Sequence, residues 1–338
     1  MKFRFTEDQK LFRDTAREML ARCSGPDVVR RAYEQGVGAP TAWKHLAEQG
    51  ISGMLLPESG GGLDLGLAEL ILILEASGYE ALPEPIVETV AVAGPLLAEA
   101  GATELLARWA PRIADGSARI GLGLAGQPFV EGADRADLLL LEREGALYAI
   151  TPDQAFLTAQ ASVDHARRLF TVQWTESSEN RVADGEIAAR ACDRARLRAT
   201  LGTAAQLIGL GARCVDLAVE YAKVRTQFGR PIGAFQAVQH KLVDAFAALA
   251  MARPVVYRAA WSLDHDDPDV DLHVSMAKAQ ASDAATLCTR QALQCHGAIG
   301  YTTEYDLHLY MKRAWALSRA YGDSDHHRAR IARQILGD

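Results

Sequence analysis

The sequence predicts a mainly α-helical protein with a small β-domain in its middle. Three observations carry this. Apolar stripes at helical spacing run through residues 1–115. Short apolar segments cut by Gly, Asp, Pro and Ser fill 116–192. Long helix-rich stretches with short connections run from 193 to 338. The order is an N-terminal helical domain, a middle β-domain and a C-terminal antiparallel helical bundle.

The first domain opens on a capping box. Thr6 is followed three residues later by Gln9, and Leu11, Phe12, Thr15, Ala16, Met19 and Leu20 then recur on one face. A short helix is expected near Trp43–Gln49, with Gly50 as its stop. The glycine-rich loop Pro57–Gly62 precedes an apolar helix over Leu65–Tyr79. Pro83 and Pro85 break the chain before a helix over Val87–Ala100. In the middle domain, Arg119–Leu124, Leu138–Glu142, Leu147–Ile150 and Leu169–Trp174 read as strands. The bundle is expected from helices over Arg194–Lys223, Gln236–His265, Val270–His296, Tyr305–Tyr321 and His326–Leu336.

Composition limits what the protein does. Of 338 residues, 49% are apolar and 23% charged, enough for a sizeable core. The net charge is −7 and no Lys/Arg-rich run occurs, which argues against nucleic acid as a partner. The apolar stretch Leu63–Leu74 contains Asp64 and Glu69 and is too short to span a bilayer, so no membrane role is expected. The N-terminal MKFRFTEDQK lacks the apolar core of a signal peptide. Cys23, Cys192, Cys214, Cys288 and Cys295 are scattered and odd in number. Neither a disulfide framework nor a metal site fits them, and a reducing cytoplasmic setting is expected.

Two segments carry chemistry. VRTQFGRPIGAFQ, residues 224–236, sets an Arg, two glycines, a proline and two aromatics just after a long helix. Arginine suits bidentate phosphate contact, and backbone N–H groups at a glycine loop or helix start suit an anion. The same residues also serve as a plain turn with Phe228 and Phe235 in the core. QCHGAIGYTTE, residues 294–304, ends a long helix on Gly297 and Gly300. Cys295 and His296 are adjacent on that helix and point apart, a poor nucleophile–base pair. His326 and His327 lack the carboxylate or Cys cluster of a metal site and read as surface or interface residues.

Together the two segments are more specific than either. VRTQFGRPIGAFQAVQHKLVD, then 46 mostly helix-forming residues, then QALQCHGAIGYTTEYDLHLYMKRA resembles the acyl-CoA dehydrogenase family. The opening FTEDQKLFRDTAREML, the PESGGG segment and the helix–β–helix order extend the resemblance over the whole chain, with a reduced middle β-barrel. It implies an FAD enzyme that dehydrogenates an acyl-CoA thioester across its α and β carbons. A carboxylate takes the α proton and the β hydrogen leaves as hydride to the flavin. The resemblance puts Arg225 on the FAD pyrophosphate, Gln227 and Phe228 along the cofactor and Gln236 at its adenosine end. Gln294, Gly297 and Gly300 would meet the same cofactor from a neighbouring subunit. An electron-transfer flavoprotein or similar acceptor is implied as partner.

Departures from the family pattern refine this. The family's base is a Glu in a Tyr-Glu-Gly-Thr segment, and ungapped comparison from Lys312 to Arg333 puts Tyr321 there. A minority of members carry it at a position that here is Ala199, followed by Thr200 where they have Arg. A phenol of ordinary pKa near 10 substitutes poorly for a carboxylate base. Asp323, two residues on, is the alternative base, and is also a natural cap for the last helix. The flavin-ring segments of the β-domain are missing too, the corresponding place reading Leu122-Gly123-Leu124-Ala125-Gly126-Gln127-Pro128. The chain therefore resembles the shorter, base-less subunit of bacterial heterotetrameric members, several of which act in steroid side-chain breakdown. A second dehydrogenase-like chain in an α2β2 assembly would supply the base. The alternatives are a self-sufficient flavoenzyme using Asp323, and a catalytically inactive scaffold.

Overall fold

The computed structural model describes residues 5–337. Its first domain holds α1 (Glu7–Cys23), α2 (Pro26–Gln35), α3 (Pro40–Glu48) and α4 (Leu67–Tyr79). The capping box at Thr6 and Gln9 is present, and Gly50 takes a left-handed conformation after α3. Helix α4 starts two residues later than the apolar pattern suggests. Its first N–H groups donate to the Asp264 carboxylate, at 2.8 Å from Leu67 and 2.7 Å from Ala68, so a distant residue sets the boundary. The segment after Pro85 is a π-helix over Val87–Ala93 that runs into α5 (Gly94–Glu99). Helix α6 (Thr103–Ala114) closes the domain.

The middle domain is two small sheets. One has the order β1 (Ile120–Gly123), β3 (Leu138–Arg143), β4 (Ala146–Ile150), β7 (Arg181–Ala183), with β1 and β3 parallel. The other has the order β2 (Val130–Glu131), β6 (Leu169–Trp174), β5 (Ala155–Gln160). Strand β3 reads as continuous leucine because both of its faces are covered. Leu138 and Leu140 join the main core, while Leu139 and Leu141 pack with Val130, Ile150 and Phe170 between the sheets.

The bundle is α7 (Gly185–Val224), α8 (Gln236–Asp264), α9 (Val270–His296), α10 (Leu307–Arg319) and α11 (Ser324–Leu336). Helix α7 starts at Gly185, nine residues before the expected Arg194. Its first turns bury only the small residues Ala188, Ala191, Cys192 and Ala195, a weak apolar stripe, and they begin just after β7 ends. Buried Arg313 of α10 pairs with Asp164 of the β-domain and also donates to the Leu82 carbonyl at 3.2 Å, which ties the three domains at one point. Among the described residues no helix is long and apolar enough to cross a membrane, and no His/Cys/Asp/Glu cluster could hold a metal ion.

Candidate functional site

Helix α7 ends where Arg225 turns to an extended conformation, its N–H still bonded to the Tyr221 carbonyl. A hairpin follows, β8 (Thr226–Gln227) against β9 (Arg230–Pro231). The two residues between them, Phe228 and Gly229, both have positive φ, at 51° and 77°. That is the primed two-residue turn, and glycine takes its second position without strain. The turn lifts Phe228 out of the core, where it is 93% exposed. Arg230 lies 4.2 Å over the Phe235 ring, and Gln236 opens α8. Arg225, Gln227, Phe228 and Gln236 are all exposed, so the core-filling reading of Phe228 does not hold.

The second motif lies at the same end of the bundle. Tyr221, one turn before Arg225, stacks on His296 with ring centroids 4.4 Å apart. His296 is buried and its Nδ1 meets the Ala292 carbonyl at 2.8 Å. Gln294 and Gly297 face solvent beside it. Gly300 is buried, and a Cβ there would stand 2.9 Å from that of His296, so it shapes the loop rather than offering a surface. Burial raises the Cys295 thiol.

This end has what a dinucleotide requires: a cation for the diphosphate, glycine backbone open to close approach, and a flat exposed ring. Among the described residues no carboxylate pairs with Arg225 to neutralise it. The residues present fit FAD.

The base position lies elsewhere. Tyr321 has left-handed backbone, φ 55°, between α10 and α11. Its hydroxyl donates to the Glu88 carboxylate at 3.4 Å, and its N–H donates to the Gln127 side chain at 3.1 Å. Burial, then the Glu131 charge, push the Glu88 carboxyl up to about 7. Burial and Glu88 together hold the Tyr321 phenol well above its usual value. Asp323 is occupied as well. It accepts from the His326 N–H at 3.0 Å as the cap of α11 and pairs with Arg319 at 3.0 Å. The His326 N–H holds its carboxyl below the usual range. Ala199 is fully buried within α7.

Lys278 of α9, fully buried, donates to the Gly322 carbonyl at 2.8 Å and the Ser318 carbonyl at 3.1 Å. Its pKa is pushed down to about 7 by burial, with Arg167 adding to the effect. His327, expected at the surface or an interface, is buried within the chain instead, its Nε2 donating to the Tyr321 carbonyl at 3.0 Å. Glu88 went unnoticed in the sequence, although a lone carboxylate in the apolar run from Ile86 to Leu97 was a signal. Next to Tyr321 opens a cleft of about 760 Å³, lined by Gln127, Arg196, His326, Arg330 and Arg333 among others.

With both ends described, the family is secure. Residues 6–117 match the model of the acyl-CoA dehydrogenase N-terminal domain, and residues 193–336 match that of the C-terminal domain. The chain belongs to the acyl-CoA dehydrogenase family of oxidoreductases. It is similar to the acyl-CoA dehydrogenase IpdE2 of Mycobacterium tuberculosis, 34% identical with 91% of each chain covered. It is also similar to the protein of the same name from Mycolicibacterium smegmatis, 33% identical over 98% of this chain and 100% of that one. Among solved structures, a chain of the ChsE4-ChsE5 complex from Mycobacterium tuberculosis shares the fold at a TM-score of 0.87, 24% identity and full coverage of both chains. Butyryl-CoA dehydrogenase from Megasphaera elsdenii shares it at 0.89 and 21% identity, covering 99% of this chain and 100% of that one.

Proposed function

We propose that the chain is the base-less subunit of a heteromeric acyl-CoA dehydrogenase, joined by a second dehydrogenase-like chain in an α2β2 assembly. One observation carries this reading. The residues suited to FAD are exposed at one end of α9, while the family's base position holds Tyr321 at the other. From Lys278, which touches the Tyr321 turn, to His296, which touches the Arg225 end, the helix rises about 27 Å. The cofactor tail and this chain's own base position are therefore separate places.

In this reading Arg225 holds the diphosphate, Phe228 and Gln227 lie along the cofactor, Gln236 meets its adenosine end, and Gln294 and Gly297 contact the same cofactor. The Tyr221–His296 stack, which joins the two motifs, supports both reaching the cofactor from one chain rather than Gln294 and Gly297 from a neighbouring one. The bound FAD supplies the hydride acceptor. The partner supplies the carboxylate that takes the α proton and the pocket that orients the thioester. The resemblance to heterotetrameric members that act in steroid side-chain breakdown, and the fold shared with a solved steroid ACAD, Tcur3481-Tcur3483, favour an acyl-CoA with a bulky, steroid-derived group, and electrons would leave through an electron-transfer flavoprotein or a similar acceptor.

The test is co-expression with the product of a neighbouring dehydrogenase-like gene. The expected result is a yellow, active complex with flavin below one per chain. Arg225→Ala in this chain should lower bound flavin at least tenfold, since a charge-assisted contact is worth about 1.5–3 kcal/mol. Turnover of acyl-CoA by the purified chain alone would overturn the reading.

A further inference from the structure

Three domains meet at Tyr321, Gln127 at its backbone N–H and Glu88 at its hydroxyl. Glu88 arrives from the π-helix of the first domain, Gln127 from the loop after β1, and Tyr321 from the bundle. A substrate carbon served from the family's base position would lie against this side chain. In this chain the phenol reaches past that place to a carboxylate that is 7% exposed.

The turn that presents Tyr321 is held from every side. A bulky residue adopts left-handed backbone only when its surroundings over-determine it, at a cost of about 1–3 kcal/mol. The Tyr321 N–H is bonded to Gln127, its carbonyl to His327 and its hydroxyl to Glu88, while Lys278 clamps the next carbonyl. The π-helix that carries Glu88 is a rare conformation that turns up at functional sites. A connection that merely joined two helices would need none of these fastenings.

We propose that Tyr321 and Glu88 form a peg that closes this chain's own acyl pocket, so that the subunit admits no acyl thioester and leaves substrate binding to its partner. The last clause rests on the two-chain reading above; the closure does not. The peg works by occupancy and by mutual need. The ring stands at the junction as one wall of the neighbouring cleft, and the hydroxyl satisfies a carboxyl group that burial would otherwise strand. Opening the pocket would break the Tyr321–Glu88 bond and leave Glu88 without that partner.

The experiment reads closure directly. Glu88→Cys is made in the full chain, purified with its partner and treated with N-ethylmaleimide, and the modified position is identified by peptide mapping. With Tyr321 in place, the thiol at position 88 is expected to react at least about 100-fold slower than in the urea-unfolded chain, because reaction needs an accessible thiolate. Adding Tyr321→Gly should speed the folded-state reaction at least about tenfold. Tyr321→Phe, which keeps the ring, should stay slow. Tyr321→Ser provides a second opening variant should the glycine chain fail to fold. A thiol at position 88 that reacts freely beside Tyr321, or one that neither opening variant accelerates, overturns the peg. The flavin count per chain tests the subunit reading independently. A complex with flavin below one per chain and a freely reacting thiol would remove the peg alone.

Discussion

At the residue scale, Glu88 makes the sharpest claim. Its carboxyl is raised from an ordinary 4.5 to about 7, so the folded chain keeps a proton that the unfolded chain releases between those values. Stability therefore falls as pH rises through that window, and is lowest above it. The charged and titratable groups facing Glu88 are Glu131, Arg167 and Tyr321. Glu88→Gln removes the titration. Urea unfolding at pH 5 and at pH 8 should show the variant gaining on the wild type by on the order of 3 kcal/mol at the higher pH. An equal difference at both pH values would show that burial does not govern this carboxyl. Residues such as Arg225 and Gln236 were legible in the sequence because they sit in a contiguous motif. Glu88, Gln127, Lys278 and His327 were not, because 239 positions separate the outermost two and only the fold brings them to one turn.

At the element scale, α4 and α7 cross closely enough that side chains are excluded. A Cβ on Gly209 would stand 2.0 Å from the Glu75 carbonyl oxygen, and one on Gly78 would stand 2.1 Å from that of Gln206. Both clashes are with backbone, so neither can be relieved by a rotamer. Gly209→Ala must push the helices apart, and a loss of about 1–3 kcal/mol is expected in thermal or urea unfolding. An unchanged midpoint would mean that the crossing is looser than drawn. Long helices such as α8 and α9 could be read from composition because their apolar residues recur along their whole length. The short strands β2, β5 and β7 could not. Phe156 on β5 is 69% exposed, and β2 and β7 are too short to show any alternation. The hairpin after α7 read as a turn, but only its two positive φ values show that it thrusts Phe228 outward.

At the scale of the whole molecule, the outer face of α8 and the hairpin stand out. Val224, Phe228, Val243, Phe246 and Met251 are each at least 59% exposed. An apolar surface of this kind next to a cofactor motif fits a contact with another chain. Phe246→Asp on that face should lower recovery of the partner in a pull-down from co-expressing cells while leaving the thermal midpoint of this chain nearly unchanged, since surface substitutions fall within about 0.5 kcal/mol. Undiminished partner recovery would place the interface elsewhere. The joining of the three domains through Arg313, Asp164 and the Leu82 carbonyl is a whole-molecule feature as well. Arg313→Ala leaves a buried carboxylate without its cation, and a loss of about 3–5 kcal/mol in urea unfolding is expected.

The length of α9 has a consequence for inheritance. One rigid rod carries residues proposed to grip the cofactor at its C-terminal end and braces the Tyr321 turn near the other. The two lie too far apart for a substitution at one to disturb the other by contact, and changes at well-separated sites combine almost independently. A duplicated gene with this architecture is free to surrender one duty and retain the other. Under the two-chain proposal, the copy left with only the grip is then worth keeping solely while its sibling is made in the same cell.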